Sequence, residues 1–215
     1  PHRLNAPPTP HSLSLTAFVS LVLLTPAIAD QADTRLQDLA ARSQGRSTWG
    51  PLRRFAETAP DAERRGRAYL VLGYREYDAG EFEAAVGDLQ SSAETRFSLA
   101  DYARYYWAEA AHEAGRFSQA SEALEGFTSQ FPTSTLRWAA VELLAKSLLQ
   151  AGQPDRALQS LLGEAQVRRR PELSVLLAQA YRDGGNPEGA ARMFQEVYYA
   201  YPLSSQAATA REAMA

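Results

Sequence analysis

Cysteine is missing from this sequence of 215 residues. Its absence excludes disulfide bonds, thiolate metal sites and a cysteine nucleophile. It also excludes the attachment of a lipid to an N-terminal cysteine. The hydrophobic content is 45 %, which is enough for a packed interior, so we expect a folded protein that needs no covalent cross-links.

A surplus of charge of one sign is also missing. The chain has 22 basic and 25 acidic residues, and the basic side chains are spread along it without forming a stripe. Because binding to a phosphate backbone depends on clustered positive charge, we expect no nucleic-acid partner. The one dense cluster is Arg168-Arg169-Arg170, which we interpret as a solvated turn between repeats, with a docking patch as the alternative.

Histidine is scarce, and the common catalytic motifs are absent. After the first thirty residues the only histidine is His112, which lies near Glu109 and Glu113 on one predicted helix. A lone histidine in that setting is typical of a solvated helix face. Phosphate-binding glycine loops, the Gly-x-Ser-x-Gly motif and the His-Glu-x-x-His motif do not occur. We therefore predict no catalytic residue, no metal site and no cofactor in this chain.

Only one long apolar run is present, at residues 13–24. A helix of that length spans roughly 18 Å, against about 30 Å for the hydrocarbon core of a bilayer, so it is too short for a permanent span. The run is followed by Pro26 and by an Ala-x-Ala step that ends at Ala29, just before Asp30. This order predicts a signal peptide over residues 1–29, cleaved between Ala29 and Asp30, with a buried N-terminal helix as the alternative. We expect an exported product with no stable membrane span.

A repeat runs through the rest of the chain. Four glycines recur at intervals of 35, 37 and 33 residues: Gly80, Gly115, Gly152 and Gly185. An alanine stands five residues after each of them: Ala85, Ala120, Ala157 and Ala190. A small residue stands seven residues before each of them: Gly73, Ala108, Ala145 and Ala178. Two helices of a hairpin approach closely where small residues face each other, and glycine readily adopts the positive φ of the turn between them.

The pattern predicts helices on both sides of each glycine. The predicted pairs are 66–79 with 82–94, 100–114 with 117–130, 136–151 with 154–162, and 172–183 with 187–200. A further helix is expected to begin near Ser204. In two units a proline, Pro154 or Pro187, stands two residues after the glycine, where a missing N–H does not weaken the start of a helix.

The period and the matched positions resemble the tetratricopeptide-repeat superfamily over about residues 62–215. The resemblance implies an all-α, right-handed solenoid of about four helical hairpins plus a partial fifth. The units are predicted at 62–97, 98–132, 135–170 and 171–202, with the partial unit at 203–215. Residues 30–61 are predicted to form N-terminal capping helices or a linker, with helices at 33–45 and 51–58. Because the array ends within a helix, we expect the reading frame to continue into a further part of the protein.

Solenoids of this type bind ligands in a groove lined by the first helix of each unit. The residues predicted to face that groove are Arg67, Tyr74, Tyr77, Tyr102, Tyr105, Glu109, His112, Glu142, Lys146, Gln179 and Arg182. The tyrosines suit a sugar or an extended peptide, because each offers an apolar ring and a hydroxyl. Packing of some tyrosines between repeats is an equal alternative.

Two stretches resemble the helical superhelix of soluble lytic murein transglycosylases. They are RAYLVLGY at 67–74 with EFEAAV at 81–86, and FQEVYYAYPLS at 194–204. The resemblance implies that the whole protein cleaves the β-1,4 bond between N-acetylmuramic acid and N-acetylglucosamine, leaving a 1,6-anhydro sugar. It also implies a catalytic glutamate in a Glu-Ser dipeptide, and no such dipeptide occurs here. This chain would then be the non-catalytic helical region, which holds a peptidoglycan strand or a partner protein in the periplasm of a Gram-negative bacterium.

A stand-alone adaptor for cell-envelope protein complexes is the alternative. The adaptors of Tol-Pal and outer-membrane assembly systems have repeats that end in a similar Tyr-Pro step, here Tyr201-Pro202. The missing lipid-anchor cysteine argues against the outer-membrane assembly type. On this alternative the partner is an envelope protein or peptide.

Overall fold

The computed structural model describes residues 31–214, and every regular element in that range is helical. The predicted signal peptide and its cleavage site at Ala29 and Asp30 lie outside the described residues. The helices are α1 Gln31–Arg42, α2 Trp49–Thr58, α3 Ala62–Asp78, α4 Phe82–Ala93, α5 Ala100–Glu113, α6 Phe117–Leu124, α7 Phe127–Gln130, α8 Arg137–Gln150, α9 Pro154–Leu162, α10 Pro171–Asp183, α11 Pro187–Ala200 and α12 Ser205–Ala213. Short 3₁₀ turns occur at Arg46–Thr48 and Val167–Arg169.

The four repeat glycines end the first helix of each hairpin. Their φ angles lie between 68° and 77°, a region that a side chain makes costly. At the end of α3 the N–H of Gly80 donates to the carbonyl of Tyr77 (2.9 Å), and the N–H of Glu81 donates to the carbonyl of Glu76 (2.8 Å). The same pair of bonds recurs after α5, α8 and α10, so each turn satisfies carbonyls that the helix end would leave open. The predicted left-handed glycine turns are confirmed.

Helix starts use side-chain caps and prolines. The carboxylate of Asp61 accepts a bond from the N–H of Arg64 (2.9 Å) at the start of α3. The amide oxygen of Asn186 accepts a bond from the N–H of Gly189 (2.8 Å) at the start of α11. Pro154 is the first residue of α9, where its lack of an N–H is tolerated. The helices α9 and α11 begin at the predicted residues, 154 and 187, whereas α3 begins at Ala62, four residues before its predicted start at 66.

The second helix of the second hairpin differs from its prediction. A single helix was expected over 117–130, but the structure has α6 and α7, separated by Glu125 and Gly126. Gly126 has φ 71°, so the backbone leaves the right-handed helical region there. The chain then restarts at Phe127, whose buried ring packs 5.1 Å from that of Phe131.

The described residues divide into two compact units. The first contains the chain up to Arg116 together with Thr133–Ala139, and the second contains Phe117–Pro132 and the residues after Ala140. In the first unit α3 packs against α4, α4 against α5, and α2 against α3. The approach of α3 to α4 is close at Gly73, where an added Cβ would lie 2.6 Å from Cγ of Leu89. The hydroxyl of Ser92 donates to the carbonyl of Gly66 (2.7 Å) and joins the same two helices.

In the second unit α10 packs against α11, α11 against α12, and α9 against α10. Leu148, Ala157 and Ala180 form a buried cluster between α8, α9 and α10. The alanines at the repeated position are inside the protein, as expected, with Ala85, Ala120 and Ala157 at 0 % exposure and Ala190 at 4 %. No helix within residues 31–214 combines the length and apolar character that a bilayer span requires.

Polar contacts join residues that lie about one repeat apart. In the first unit, Arg46 pairs with Glu81 (2.7 Å), 35 residues later. The hydroxyl of Ser134 donates to Asp101 (2.6 Å), 33 residues earlier. In the second unit, the hydroxyl of Tyr201 donates to the carbonyl of Arg168 (2.8 Å), also 33 residues earlier. Equivalent places in neighbouring hairpins therefore face each other.

Candidate binding surfaces

Seven of the predicted groove residues lie in the first unit, and four of these are buried. The exposed fractions are 7 % for Arg67, 6 % for Tyr74, 2 % for Tyr105 and 3 % for Glu109. The sequence predicted that these side chains line an open groove. They instead pack in the helical interior, because α3, α4 and α5 pack closely around them. The guanidinium of Arg67 forms an ion pair with the carboxylate of Glu63 (2.6 Å).

The buried tyrosines form an aromatic cluster between α3 and α5. The ring of Tyr106 is at its centre: it lies 4.8 Å from that of Tyr74 and 5.4 Å from that of Tyr105, both edge to face. The ring of Tyr77 lies 6.2 Å from that of Tyr106 and 5.6 Å from that of Phe82. Edge-to-face pairs at these distances stabilise a core beyond their buried area. The structure therefore favours the alternative in which these tyrosines pack between repeats.

Burial also sets the protonation state of this cluster. It raises the pKa of Tyr105 above its ordinary value, and the neighbouring Glu109 raises it further. The hydroxyl of Tyr105 donates to Glu109 (3.2 Å). Burial also raises the pKa values of Tyr77 and Tyr106 above their ordinary values. These hydroxyls stay neutral, which suits a structural core.

The other predicted groove residues are more accessible. Tyr77, Tyr102 and His112 are half-buried in the first unit, and the hydroxyl of Tyr102 lies 3.4 Å from that of Thr135. The second unit holds the remaining four: Glu142, Lys146, Gln179 and Arg182. Of these, Glu142 and Lys146 pair with each other at 2.6 Å, and Arg182 pairs with Asp183 at 3.1 Å. A role for these accessible side chains in ligand binding stays a prediction.

A buried charge cluster in the first unit was not predicted. Arg53 of α2 reaches both Glu76 of α3 (2.7 Å) and Asp88 of α4 (2.7 Å). Both carboxyl groups are almost fully buried, whereas Arg53 is partly exposed. Burial and the nearby Asp88 raise the pKa of Glu76 to about 8, although Arg53 opposes this shift. Glu76 is therefore largely protonated at neutral pH, and in that form it can donate a hydrogen bond to Asp88.

The second unit contains an open cavity of about 330 Å³, which we call the α8–α9 cavity. Its lining is apolar where it meets α8 and polar at the rim. The apolar residues are Leu124, Phe127, Ala140, Val141, Leu144 and Leu148, and the other lining residues are Glu125, Gly126, Thr128, Arg156, Gln159, Ser160 and Glu164. A cavity of this size and composition can accept one large apolar side chain.

Two interruptions of the second helices leave this space open. The first is the break between α6 and α7 at Gly126, and the second is the end of α9 at Leu162, after only nine residues. The second helices of the first and last complete hairpins, α4 and α11, have twelve and fourteen residues. The sequence signal was visible, since Gly126 falls inside a predicted helix, but a glycine in a helix does not by itself predict a cavity.

The rim of the α8–α9 cavity carries one ion pair. Arg156 contacts Glu125 at 2.9 Å and the side-chain oxygen of Gln153 at 2.6 Å. Both charged side chains are well exposed, so the pair contributes little stability and can open for a ligand. Across the described part of the chain, no group of three or more His, Cys, Asp or Glu side chains is placed to hold a metal ion.

Comparison with known proteins agrees with this architecture. A family model for the tetratricopeptide repeat matches residues 102–134 and 173–204. The nearly identical TPR-like repeats of a kinesin light chain from Podosopora anserina have a similar structure, with a TM-score of 0.60 and 19 % identity over 80 % of this chain and 96 % of that chain. The structure of MamA gives a TM-score of 0.55 and 16 % identity over 80 % of this chain and 95 % of that chain. No curated protein matches the sequence.

The structural matches have low identity, so they show the fold alone. They confirm the predicted all-α, tetratricopeptide-like solenoid class. Residues 102–134 and 173–204 thus match the tetratricopeptide repeat, and the described residues have a fold similar to that of tetratricopeptide-repeat proteins.

Proposed function

We propose that the chain is a non-catalytic repeat scaffold that binds a segment of another protein in the periplasm of a Gram-negative bacterium. The observation that carries the binding role is the α8–α9 cavity, an apolar recess with a polar rim on a tetratricopeptide-like fold. Repeats of this kind generally mediate contacts between proteins, because stacked hairpins present long surfaces to a partner. An apolar side chain of the partner would enter the cavity, and the polar rim would hold its backbone.

The periplasmic location is supported by the sequence before Asp30. Residues 13–24 form an apolar run of the length found in cleaved signals, followed by the Ala-x-Ala step that ends at Ala29. We further propose that the chain is the helical region of a soluble lytic murein transglycosylase. The support is the likeness of residues 67–74, 81–86 and 194–204 to that family. In such an enzyme this region would hold the peptidoglycan strand or a partner protein near a separate catalytic domain.

The second candidate is a stand-alone adaptor for envelope protein complexes. It is favoured by a cavity suited to a peptide side chain. The two candidates differ in whether the chain itself contacts glycan. Binding to peptidoglycan favours the transglycosylase, whereas binding to peptides alone favours the adaptor.

The binding role predicts that filling the α8–α9 cavity abolishes peptide capture. Ser160 lines the cavity and is half-buried, so a phenylalanine there would occupy the space for a partner's side chain. We expect displayed random peptides rich in large apolar residues to bind the wild-type chain, and Ser160→Phe to weaken that binding at least tenfold. Fluorescence anisotropy of the selected peptides would measure the change.

The matched control is Ser129→Phe, which adds the same ring to an exposed position of α7 outside the cavity. It should leave peptide affinity unchanged. A failure to select any peptide, or equal affinity in the wild type and Ser160→Phe, would contradict the proposal. A parallel incubation with purified murein sacculi distinguishes the two candidates, because retention that Ser160→Phe does not change would identify a glycan contact outside the cavity.

If the protein is periplasmic, its N-terminal residues should direct the export of a reporter enzyme fused to the chain. Residues 1–215 with an initiator methionine, fused to alkaline phosphatase, should give an active enzyme, because the phosphatase folds only after export. Replacing Leu21 and Leu23 by arginine interrupts the apolar run and should abolish the activity. Equal activity in both fusions, or none in the unmodified one, would rule out a signal in residues 1–29.

A further inference from the structure

A second, polar cavity lies in the second unit and shares no residue with the α8–α9 cavity. It measures about 420 Å³ and is lined by Arg168, Tyr181, Gly189, Arg192, Met193 and Glu196. Arg168 belongs to the 3₁₀ turn Val167–Arg169, Tyr181 to α10, and the other four to α11. The arginine run that stood out in the sequence thus contributes one side chain to a shaped site.

The backbone that carries Arg168 is held in place at several points. The side chain of Val167 is buried. The carbonyl of Val167 accepts a bond from the hydroxyl of Ser174 (3.3 Å), and that of Arg168 accepts one from the hydroxyl of Tyr201 (2.8 Å). A turn anchored in this way lowers the entropy that a ligand must overcome to order its binding residues.

The two arginines of the cavity are available for a ligand. Both are exposed, and within residues 31–214 neither guanidinium has an ion pair with a carboxylate. The nearest acidic group of the cavity is Glu196, which lies one helical turn after Arg192 on α11. The lining therefore has a net positive charge, on a chain whose overall net charge is −3.

We propose that this cavity binds a carboxylate of an acidic segment of a partner protein, with Arg168 and Arg192 as paired cationic donors and Tyr181 as a hydroxyl donor. A guanidinium presents a planar fork of N–H groups that matches the two oxygens of a carboxylate. Two forks on separate elements can hold one carboxylate from two sides. Glu196 and the acidic balance of the chain disfavour an extended polyanion, so the occupant is a short segment with few negative charges.

The test is binding of a fluorescein-labelled peptide with three successive glutamates, compared with a peptide in which glutamines replace them. We expect measurable binding of the acidic peptide alone. Arg168→Ala and Arg192→Ala should each weaken it roughly tenfold or more, since each removes a charge-assisted contact. Glu196→Gln should tighten it roughly two- to fivefold, because one repelling charge is lost.

The matched control is Arg169→Ala. Arg169 is exposed, neighbours Arg168 in the same turn and does not line the cavity, so its loss should change the affinity less than twofold. A loss equal to that of Arg168→Ala would show that the run attracts anions only through its total charge, and would overturn the proposal. Equal binding of the glutamine peptide would overturn it as well. The test is independent of the proposed function, because Ser160→Phe should leave acidic-peptide binding unchanged.

Discussion

Gly73→Ala is expected to lower the free energy of unfolding by about 1–3 kcal/mol, as overpacking of a close helix contact typically does. The added Cβ would lie 2.6 Å from Cγ of Leu89 and 3.0 Å from its backbone nitrogen. Leu89 is fully buried, and a backbone atom cannot move aside as a flexible side chain can. The helices α3 and α4 would have to separate. Urea denaturation followed by far-UV circular dichroism measures the loss.

Gly87→Ala provides a matched control. Gly87 lies in α4, the helix that packs against α3, but at an exposed position. An added Cβ there would meet nothing within 4 Å. Alanine is the better helix former there, so the variant should be more stable by about 0.5–1 kcal/mol. Destabilisation by both variants, or by neither, would show that close approach at Gly73 does not limit the packing of α3 on α4.

The second large effect concerns pH. Glu76 has a pKa of about 8 in the folded protein, against an ordinary value of 4.5 for a glutamate. Because the folded state keeps a proton that the unfolded chain releases, the contribution of this group to stability is fully present below pH 4.5 and is lost as the pH rises through about 8. We expect the free energy of unfolding to fall by a few kcal/mol over this window, on the order of 3 kcal/mol.

Glu76→Gln isolates this effect, because glutamine keeps the shape and the hydrogen bond of the protonated acid but cannot ionise. The variant should match the wild type near pH 5 and be the more stable protein near pH 9. Glu83→Gln, at an exposed position of α4, should follow the wild-type curve throughout. Guanidinium denaturation from pH 5 to pH 9 measures all three. Parallel curves for the wild type and Glu76→Gln would mean that Glu76 is already ionised at neutral pH.

The positions fixed by the repeat could be predicted from the sequence. A turn that requires positive φ admits glycine at little cost, and a close helix contact admits alanine, so Gly115 and Ala120 reveal their environments through their residue types alone. The places of the helices followed from them. The break at Gly126 could not be predicted in the same way, because a helix also tolerates a glycine when packing favours it.

The surroundings of the predicted groove residues, and the buried charge cluster, were harder to predict. Helical periodicity places Tyr74 and Tyr105 on one face of their helices, but it does not show which neighbouring helix covers that face. The charge cluster offered one usable signal, since Arg53 and Asp88 lie 35 residues apart, close to one repeat length. No sequence signal indicated that Asp88 lies beside Glu76 in the interior, because two carboxyl groups close together are expected to repel unless one is protonated.

The polar contacts between equivalent places of neighbouring hairpins have a consequence for how the chain comes apart. Each contact, such as that of Arg46 with Glu81 or of Tyr201 with Arg168, reaches one hairpin along and no further. Opening a terminal hairpin therefore breaks the bonds to a single neighbour, whereas opening an internal one breaks bonds on both sides. Within residues 31–214, the outer hairpins are therefore expected to open before the internal ones.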